Sequence, residues 1–275
     1  MSSRLDLHVH TTASDGLWSP ARVVQEALAR GLRYLAITDH ETTRGAIEAI
    51  AIARGTPLEV IPGVEISVSS PEGEIDLLGY FVDPTHSDLL RLLEGMQAER
   101  VERIHAMAER LAQLGMPVPW ERVLERARGD VLGRPHLARA MVEQGYVADE
   151  AEAFRRWLGH GRPAYVPRRP VDPREVLSVI RAAGGVSVLA HPGRSGLPRN
   201  LEGLWRAGLA GLEVFHPDHS PDDIARLMAI ARTYDLIPTG GSDFHGPGPD
   251  GRILLGTMPV PAHTVDRLRE RCPRR

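Results

Sequence analysis

Two imidazoles set two residues apart, His8 and His10 in Asp6-Leu7-His8-Val9-His10, are the first residues in the chain able to do chemistry. Alternate residues of a strand project from one face, so both rings can meet a single ion. Asp15 follows in the loop leaving that strand, and barrel enzymes carry their reacting groups at such strand ends. Thr38-Asp39-His40 closes a second apolar run through Leu35, Ala36 and Ile37, which brings His40 out at the same rim. Gly63-Val64-Glu65 follows a third, where one carboxylate can bridge two ions with its two oxygens. His191 stands in Ala190-His191-Pro192-Gly193 after the most apolar run of the second half, and Ser242-Asp243-Phe244-His245 sets an acid and an imidazole two apart. Singly, each has a bland reading as a core or turn histidine, a cap or a solvated charge. Together, eight nitrogen and oxygen donors without a thiolate exceed what one tetrahedral ion needs, and they imply two or three ions of the Mn, Fe or Zn type. Closely spaced ions lower the pKa of a bridging water from about 16 to about 7 and clamp an anionic ester for in-line attack. Phosphoester hydrolysis is the expected chemistry.

The elements that must position these residues alternate. Leu5 to Val9 reads as a strand, a helix opens at Ser19-Pro20 and closes at Gly31, and Tyr34 to Thr38 reads as the next strand. A helix over about Thr43 to Arg54 precedes strands at Leu58 to Ser69 and Ile75 to Val82, joined as a hairpin through Pro71-Glu72-Gly73. From His86 to Gly161 the texture becomes Arg/Glu-rich and Leu/Ala-rich, with no strand pattern, and implies an inserted helical subdomain. Met96, Ile104, Met107 and Leu111 form its expected packing stripe. The alternation then returns: a helix from Asp172-Pro173 to Gly184-Gly185, a strand at Val186 to Ala190, and strands at Gly211 to Phe215 and Leu236 to Gly240 around a helix opened by Ser220-Pro221. The rhythm predicts an α/β chain, a barrel of residues 1–85 and 162–275 interrupted by a helical insert over 86–161.

Composition narrows the chemistry further. The 275 residues, 42% hydrophobic and 25% charged, suit one sizeable core and exclude a disordered or fibrous chain. A net charge of −3 excludes a polycation that coats nucleic acid, so any nucleotide contact is local. All 33 basic residues are Arg. Without Lys there is no Schiff-base aldolase, no pyridoxal-phosphate enzyme, no Walker-type P-loop and no carboxylated-Lys metal bridge. The single Cys272 provides neither a disulfide framework nor a thiolate cage, and no apolar run reaches the roughly 18 residues of a membrane span. A cytoplasmic protein with no membrane association and no stable protein partner is expected.

The motifs resemble those of the polymerase-and-histidinol-phosphatase, or PHP, domain family. Its opening motif stands here as Asp6-Leu7-His8-Val9-His10 with Ser14-Asp15-Gly16, the later ones as Thr38-Asp39-His40, Gly63-Val64-Glu65 and Ser242-Asp243-Phe244-His245. The likeness covers nearly the whole chain. In the insert, Gly133-Arg134-Pro135-His136 and Tyr165-Val166-Pro167 are similar to the branch of small phosphoesterases acting on nucleoside 3′,5′-bisphosphates and short 5′-phosphorylated RNA. The resemblance implies a distorted (β/α)7 TIM-like barrel and a trinuclear metal centre. It implies that His8, His10, Glu65 and Asp243 hold a first ion, Glu65 and His191 a second, and Asp15, His40 and His245 a third. Asp76 occupies a position where the second ion has a histidine, so the chain departs from the family pattern there.

Within that frame Arg134, His136 and Arg194 are candidate phosphate binders, because guanidinium forks match phosphate oxygens two at a time. His191, His216 and His219 are the candidate catalytic imidazoles. The last two, in Phe215-His216-Pro217-Asp218-His219, offer a general acid or a phosphate contact, the choice between them open. His86, His105, His160 and His263 lack strand-end context and read as structural. The expected substrate is a nucleotide with two phosphates or the 5′ end of a short RNA. Histidinol phosphate or another small phosphoester is one alternative, and a non-catalytic metal-binding module is an alternative of another class. Paired strand-end histidines also occur in amidohydrolases.

Overall fold

The computed structural model describes residues 5–70, 73–127, 131–248 and 250–273. The apolar runs form a seven-stranded sheet in chain order: β1 (Leu5–Asp6), β2 (Tyr34–Ile37), β3 (Glu59–Ser70), β4 (Gly73–Tyr80), β5 (Val186–Leu189), β6 (Gly211–Phe215) and β7 (Ile237–Gly240). Neighbouring strands are parallel except β4, which runs antiparallel to both β3 and β5. The reason is chain length: Ser70 pairs with Gly73, and a hairpin leaves no residues for the crossover helix a parallel pair requires. Pro71 and Glu72, assigned to this turn from sequence, lie outside the described residues.

The sheet closes on itself. Val9, just beyond β1, bridges in parallel to Phe244, just beyond β7, and the His10 N–H donates to the Phe244 carbonyl at 2.9 Å. Closure needs a residue without a side chain, since a Cβ on Gly241 would lie 2.4 Å from the Cβ of His8. The distorted (β/α)7 barrel is therefore present, with β1 shorter than the expected Leu5 to Val9, although the Val9 carbonyl still accepts the Thr38 N–H at 2.9 Å while Val9 bridges to Phe244.

Helices cover the outside. Pro starts α1 (Pro20–Ala29), α7 (Pro173–Ala182) and α10 (Pro221–Thr233), and the preceding Ser19, Asp172 and Ser220 accept backbone N–H groups of the first turn. Between α1 and α7 lie α2 (Arg44–Ala53), α3 (Ser87–Gln113), α4 (Trp120–Arg126), α5 (Arg134–Glu143), α6 (Glu150–Ala153) and a π-helical turn (Phe154–Leu158). The short α8 (Pro192–Ser195), α9 (Leu201–Arg206) and α11 (Thr264–Arg271) complete the set.

The 27-residue α3 belongs to two cores at once. Leu89 and Leu93 pack into the barrel cluster with Val64, Ile66 and Ile180, whereas Ile104, Met107 and Leu111 pack with Leu137, Met141 and Leu158. Met96 packs on the barrel side rather than in the stripe expected of it. Midway along, Arg100 pairs with the buried Glu41 at 2.5 Å, and Gln97 donates to the Glu41 carbonyl at 2.6 Å. The helical segment is thereby tied to the barrel mouth beside His40.

Candidate metal centre

The strand ends bring their polar residues together. His8 and His10 are fully buried, with their Nε2 atoms 3.1 Å apart. Glu65 Oε2 stands 3.3 Å from His8 Nε2, 3.2 Å from His10 Nε2 and 3.2 Å from His40 Nδ1, while Glu65 Oε1 faces His191 Nε2 at 3.0 Å. Asp243 Oδ1 lies 3.4 Å from His8 Nε2 and 3.2 Å from His10 Nε2. Asp15 meets His245 at 3.3 Å and His10 and His40 at 3.9 Å. Three overlapping groups have donor atoms within 4.8 Å of one another: His10, Asp15, His40 and His245; His8, His10 and Asp243; His8, Glu65 and His191. Asp76 lies outside these groups. It lines the same cavity from β4, with an oxygen 3.7 Å from His191 Nε2.

Burial alone would favour the neutral forms of Glu65, Asp15, Asp243, His10 and His191, and their proximity reverses that. Against the cost of burial, the charges of His40 and His8 and hydrogen bonds from His10 and His191 hold Glu65 well below the usual carboxylate range. Asp15 and Asp243 are likewise held far down by the histidines facing them. Against the same cost, Asp243 and Glu65 raise His10 to about 10, and Glu65 raises His191 to about 9. Burial lowers His40. The buried Nδ1 atoms of His10 and His40 have no hydrogen-bond partner. Acidic oxygens and imidazole nitrogens packed so closely, some without partners, are a donor set that divalent ions fit.

Other buried acids hold the frame. Asp39 accepts from Thr11 N–H at 2.6 Å and from the Thr11 and Ser14 hydroxyls at 2.8 Å, fixing the loop that presents Asp15. Asp6 accepts from Ser242 and Gly256 N–H at 2.9 and 2.8 Å and so ties the β1 end to the loop carrying Asp243. Both acids sit inside motifs read for their histidines. Glu213, from β6, was not anticipated from sequence. It is fully buried, with its oxygens 3.1 and 3.2 Å from His8 Nδ1, and it accepts the His191 N–H at 2.8 Å. A carboxylate on Nδ1 fixes the ring and leaves Nε2 facing the cluster. His191 and Asp243 hold left-handed backbone conformations, φ 26° and 48°, an arrangement that local contacts must enforce.

The two imidazoles after β6 divide. His216 turns Nε2 toward Asp243 Oδ2 at 3.4 Å, at the edge of the cluster. His219 donates from Nδ1 to the Val214 carbonyl at 2.8 Å and accepts the Gly193 N–H on Nε2 at 3.0 Å. Both its nitrogens serve the backbone, which braces the start of α8 next to His191.

Across a cavity of about 420 Å³ the cluster faces a basic wall of Arg100, Arg103, Arg134 and Arg168. Burial, with Arg168 and Arg134 close by, lowers Arg103 to about 10, and Arg134 is lowered for the same reasons. Arg103 Nη2 is buried without a hydrogen-bond partner. His160, read as structural, also lines this cavity. His136 does not: its Nδ1 accepts the Gly133 N–H at 2.9 Å and burial lowers it to about 4. It is a neutral cap that sets the start of α5, and with it Arg134. Arg194 lies in α8, its side chain outside the described residues.

A barrel with nitrogen and oxygen donors converging at its strand ends and an arginine wall opposite defines a metal-dependent hydrolase acting on anions. The PHP domain model matches residues 6–108. A 5′-3′ exoribonuclease of Haemophilus influenzae is 36% identical, covering 93% of this chain and 94% of its own. A 3′,5′-nucleoside bisphosphate phosphatase of Chromobacterium violaceum is 34% identical, covering 94% and 93%. A solved Bifidobacterium adolescentis structure assigned to the metal-dependent phosphoesterases superposes with a TM-score of 0.88 at 33% identity, covering 98% and 96%. The chain belongs to the PHP domain family. Among the described residues no helix is long and apolar enough to cross a membrane.

Proposed function

We propose that this chain is a cytoplasmic phosphoesterase that uses two or three divalent ions, Mn, Fe or Zn, to hydrolyse phosphate esters of nucleotides. The observation that carries the reading is the single cavity with a donor cluster on one wall and the guanidinium groups of Arg100, Arg103, Arg134 and Arg168 on the other. His8, His10, Glu65 and Asp243 would hold one ion, Glu65, His191 and Asp76 a second, and Asp15, His40 and His245 a third. Ions bound there supply a nucleophile at neutral pH and offset charge on the phosphoryl oxygens. The remaining chemistry falls to side chains. His216, with Nε2 against Asp243, is the candidate to hand a proton to the leaving oxygen, and Arg134, with Arg103 beside it, to hold a second phosphate. His219 and His136 act through the backbone they brace.

Residues 86–161 act as the substrate-selecting insert, since Arg100, Arg103 and Arg134 all come from it. Two phosphates on one nucleoside match the two walls. A nucleoside 3′,5′-bisphosphate and the 5′-phosphorylated end of a short RNA both present that pair, in line with the names of the two relatives. The test measures phosphate release from adenosine 3′,5′-bisphosphate and from histidinol phosphate side by side, before and after chelation. Metal-dependent preference for the bisphosphate is expected. Preference for histidinol phosphate would overturn the substrate choice, and metal binding without turnover of any phosphoester would favour a non-catalytic module.

A further inference from the structure

A second cavity, about 700 Å³, lies between α3 and the segment 168–172 that leads into α7, and it shares Ser67 and Arg168 with the metal cavity. Its floor is apolar, formed by Leu92, Met96, Val171 and Val179. Four acids line it, and three are engaged: Asp88 pairs with Arg91 at 3.2 Å, Glu99 accepts the Arg169 N–H at 3.0 Å, and Asp172 caps α7, while Glu175 stands on the side of α7. The wall is fixed to the sheet, because the Val171 N–H donates to the Ser69 carbonyl at 2.8 Å.

We infer that this cavity receives the nucleoside that follows the scissile phosphate when the substrate is a 5′-phosphorylated oligoribonucleotide. The inference rests on the function proposed above. A bisphosphate ends inside the metal cavity and needs no further room, whereas an RNA chain must continue past its first nucleotide. The shared boundary at Arg168 provides the path, with a guanidinium where the chain's phosphodiester passes. Beyond it, an apolar floor with a hydrogen-bonding rim suits a base and ribose better than a row of phosphates. The flat guanidinium groups of Arg168 and Arg169 offer stacking faces in a cavity that has no aromatic lining among its described residues.

Gly95 gives a clean test. It lines the cavity from α3, and a Cβ built there meets nothing within 4 Å, so a larger side chain can start there without displacing the core. Gly95→Trp and Gly95→Ala are compared with the unaltered holoenzyme on adenosine 3′,5′-bisphosphate and on a 5′-phosphorylated RNA trinucleotide. For Gly95→Trp, kcat/KM on the trinucleotide is expected to fall about tenfold or more while the bisphosphate changes less than about twofold. Gly95→Ala should match the unaltered enzyme on both. Equal loss on both substrates, loss on the bisphosphate alone, or no loss on either would overturn the inference, as would an unaltered enzyme that cleaves the bisphosphate but not the RNA. Failure to hydrolyse either substrate would instead remove the proposed function.

Discussion

At the scale of single residues the ligand candidates were legible because each follows an apolar strand and occurs in a motif of fixed spacing. Glu213 was not. In Gly211-Leu212-Glu213-Val214-Phe215 it reads as an ordinary strand acid, and only the closed barrel brings it to His8, 205 positions earlier. Replacing it tests its role: Glu213→Gln keeps the size but weakens the acceptor on His8 Nδ1, and about 10- to 100-fold weaker metal binding is expected in competition with a chelator. Unchanged affinity would mean that the carboxylate only fills space. Asp76 is the chain's own departure from the family pattern. Because imidazole suits Zn better than a carboxylate does, Asp76→His should shift retained metal toward Zn after growth in mixed metals, as measured by elemental analysis. An unaltered metal ratio would place Asp76 outside the coordination sphere. His219 and His136 had the sequence context of site residues, yet both nitrogens of His219 and Nδ1 of His136 serve backbone groups, a distinction that no spacing reveals.

At the scale of elements the strands were legible to within a few residues, because buried barrel strands read as apolar runs. The short α8, α9 and α11 lacked a comparable signal. The division of α3 between two cores was also hidden, since one amphipathic period continues through both. Its charged link to the barrel, beside the packing of Leu89 and Leu93, is the buried Glu41 and Arg100 pair, and Glu41→Gln, by leaving an uncompensated charge, should destabilise the protein by about 3–5 kcal/mol in denaturant unfolding. A change near zero would show that Ser67 and the other neighbours of Arg100 suffice. The cap on α5 has a pH signature. His136 titrates at about 4 when folded and near 6.5 when unfolded, so its stabilising contribution is intact above 6.5 and is lost as pH falls through 4, by up to about 1.4 kcal/mol per pH unit. His136→Asn, which still accepts the Gly133 N–H but does not titrate, should flatten the stability profile over that interval. An unaltered acid profile would refute the assignment.

At the scale of the whole molecule the barrel was legible from the alternation of strands and helices, whereas its second cavity was not, because that cavity arises where α3 meets the segment before α7. The cluster binds the two ends of the chain together through charge. His10 and His191, raised to about 10 and about 9, carry protons at neutral pH without metal, and their pairing stabilises the metal-free fold below about 6.5 and fades as pH climbs through 9 to 10. Metal uptake must expel those protons. Its apparent affinity should therefore weaken as pH falls below about 9, and titration calorimetry in buffers of different ionisation enthalpy should record proton release. Affinity independent of pH would contradict this charge arrangement. The most direct measurement is anomalous scattering from crystals of the protein prepared with Mn2+. Peaks are expected between Glu65, Asp243 and Asp15 and the histidines around them. Density in the cavity without an anomalous signal, or peaks confined to the surface, would contradict a metal centre at the barrel mouth.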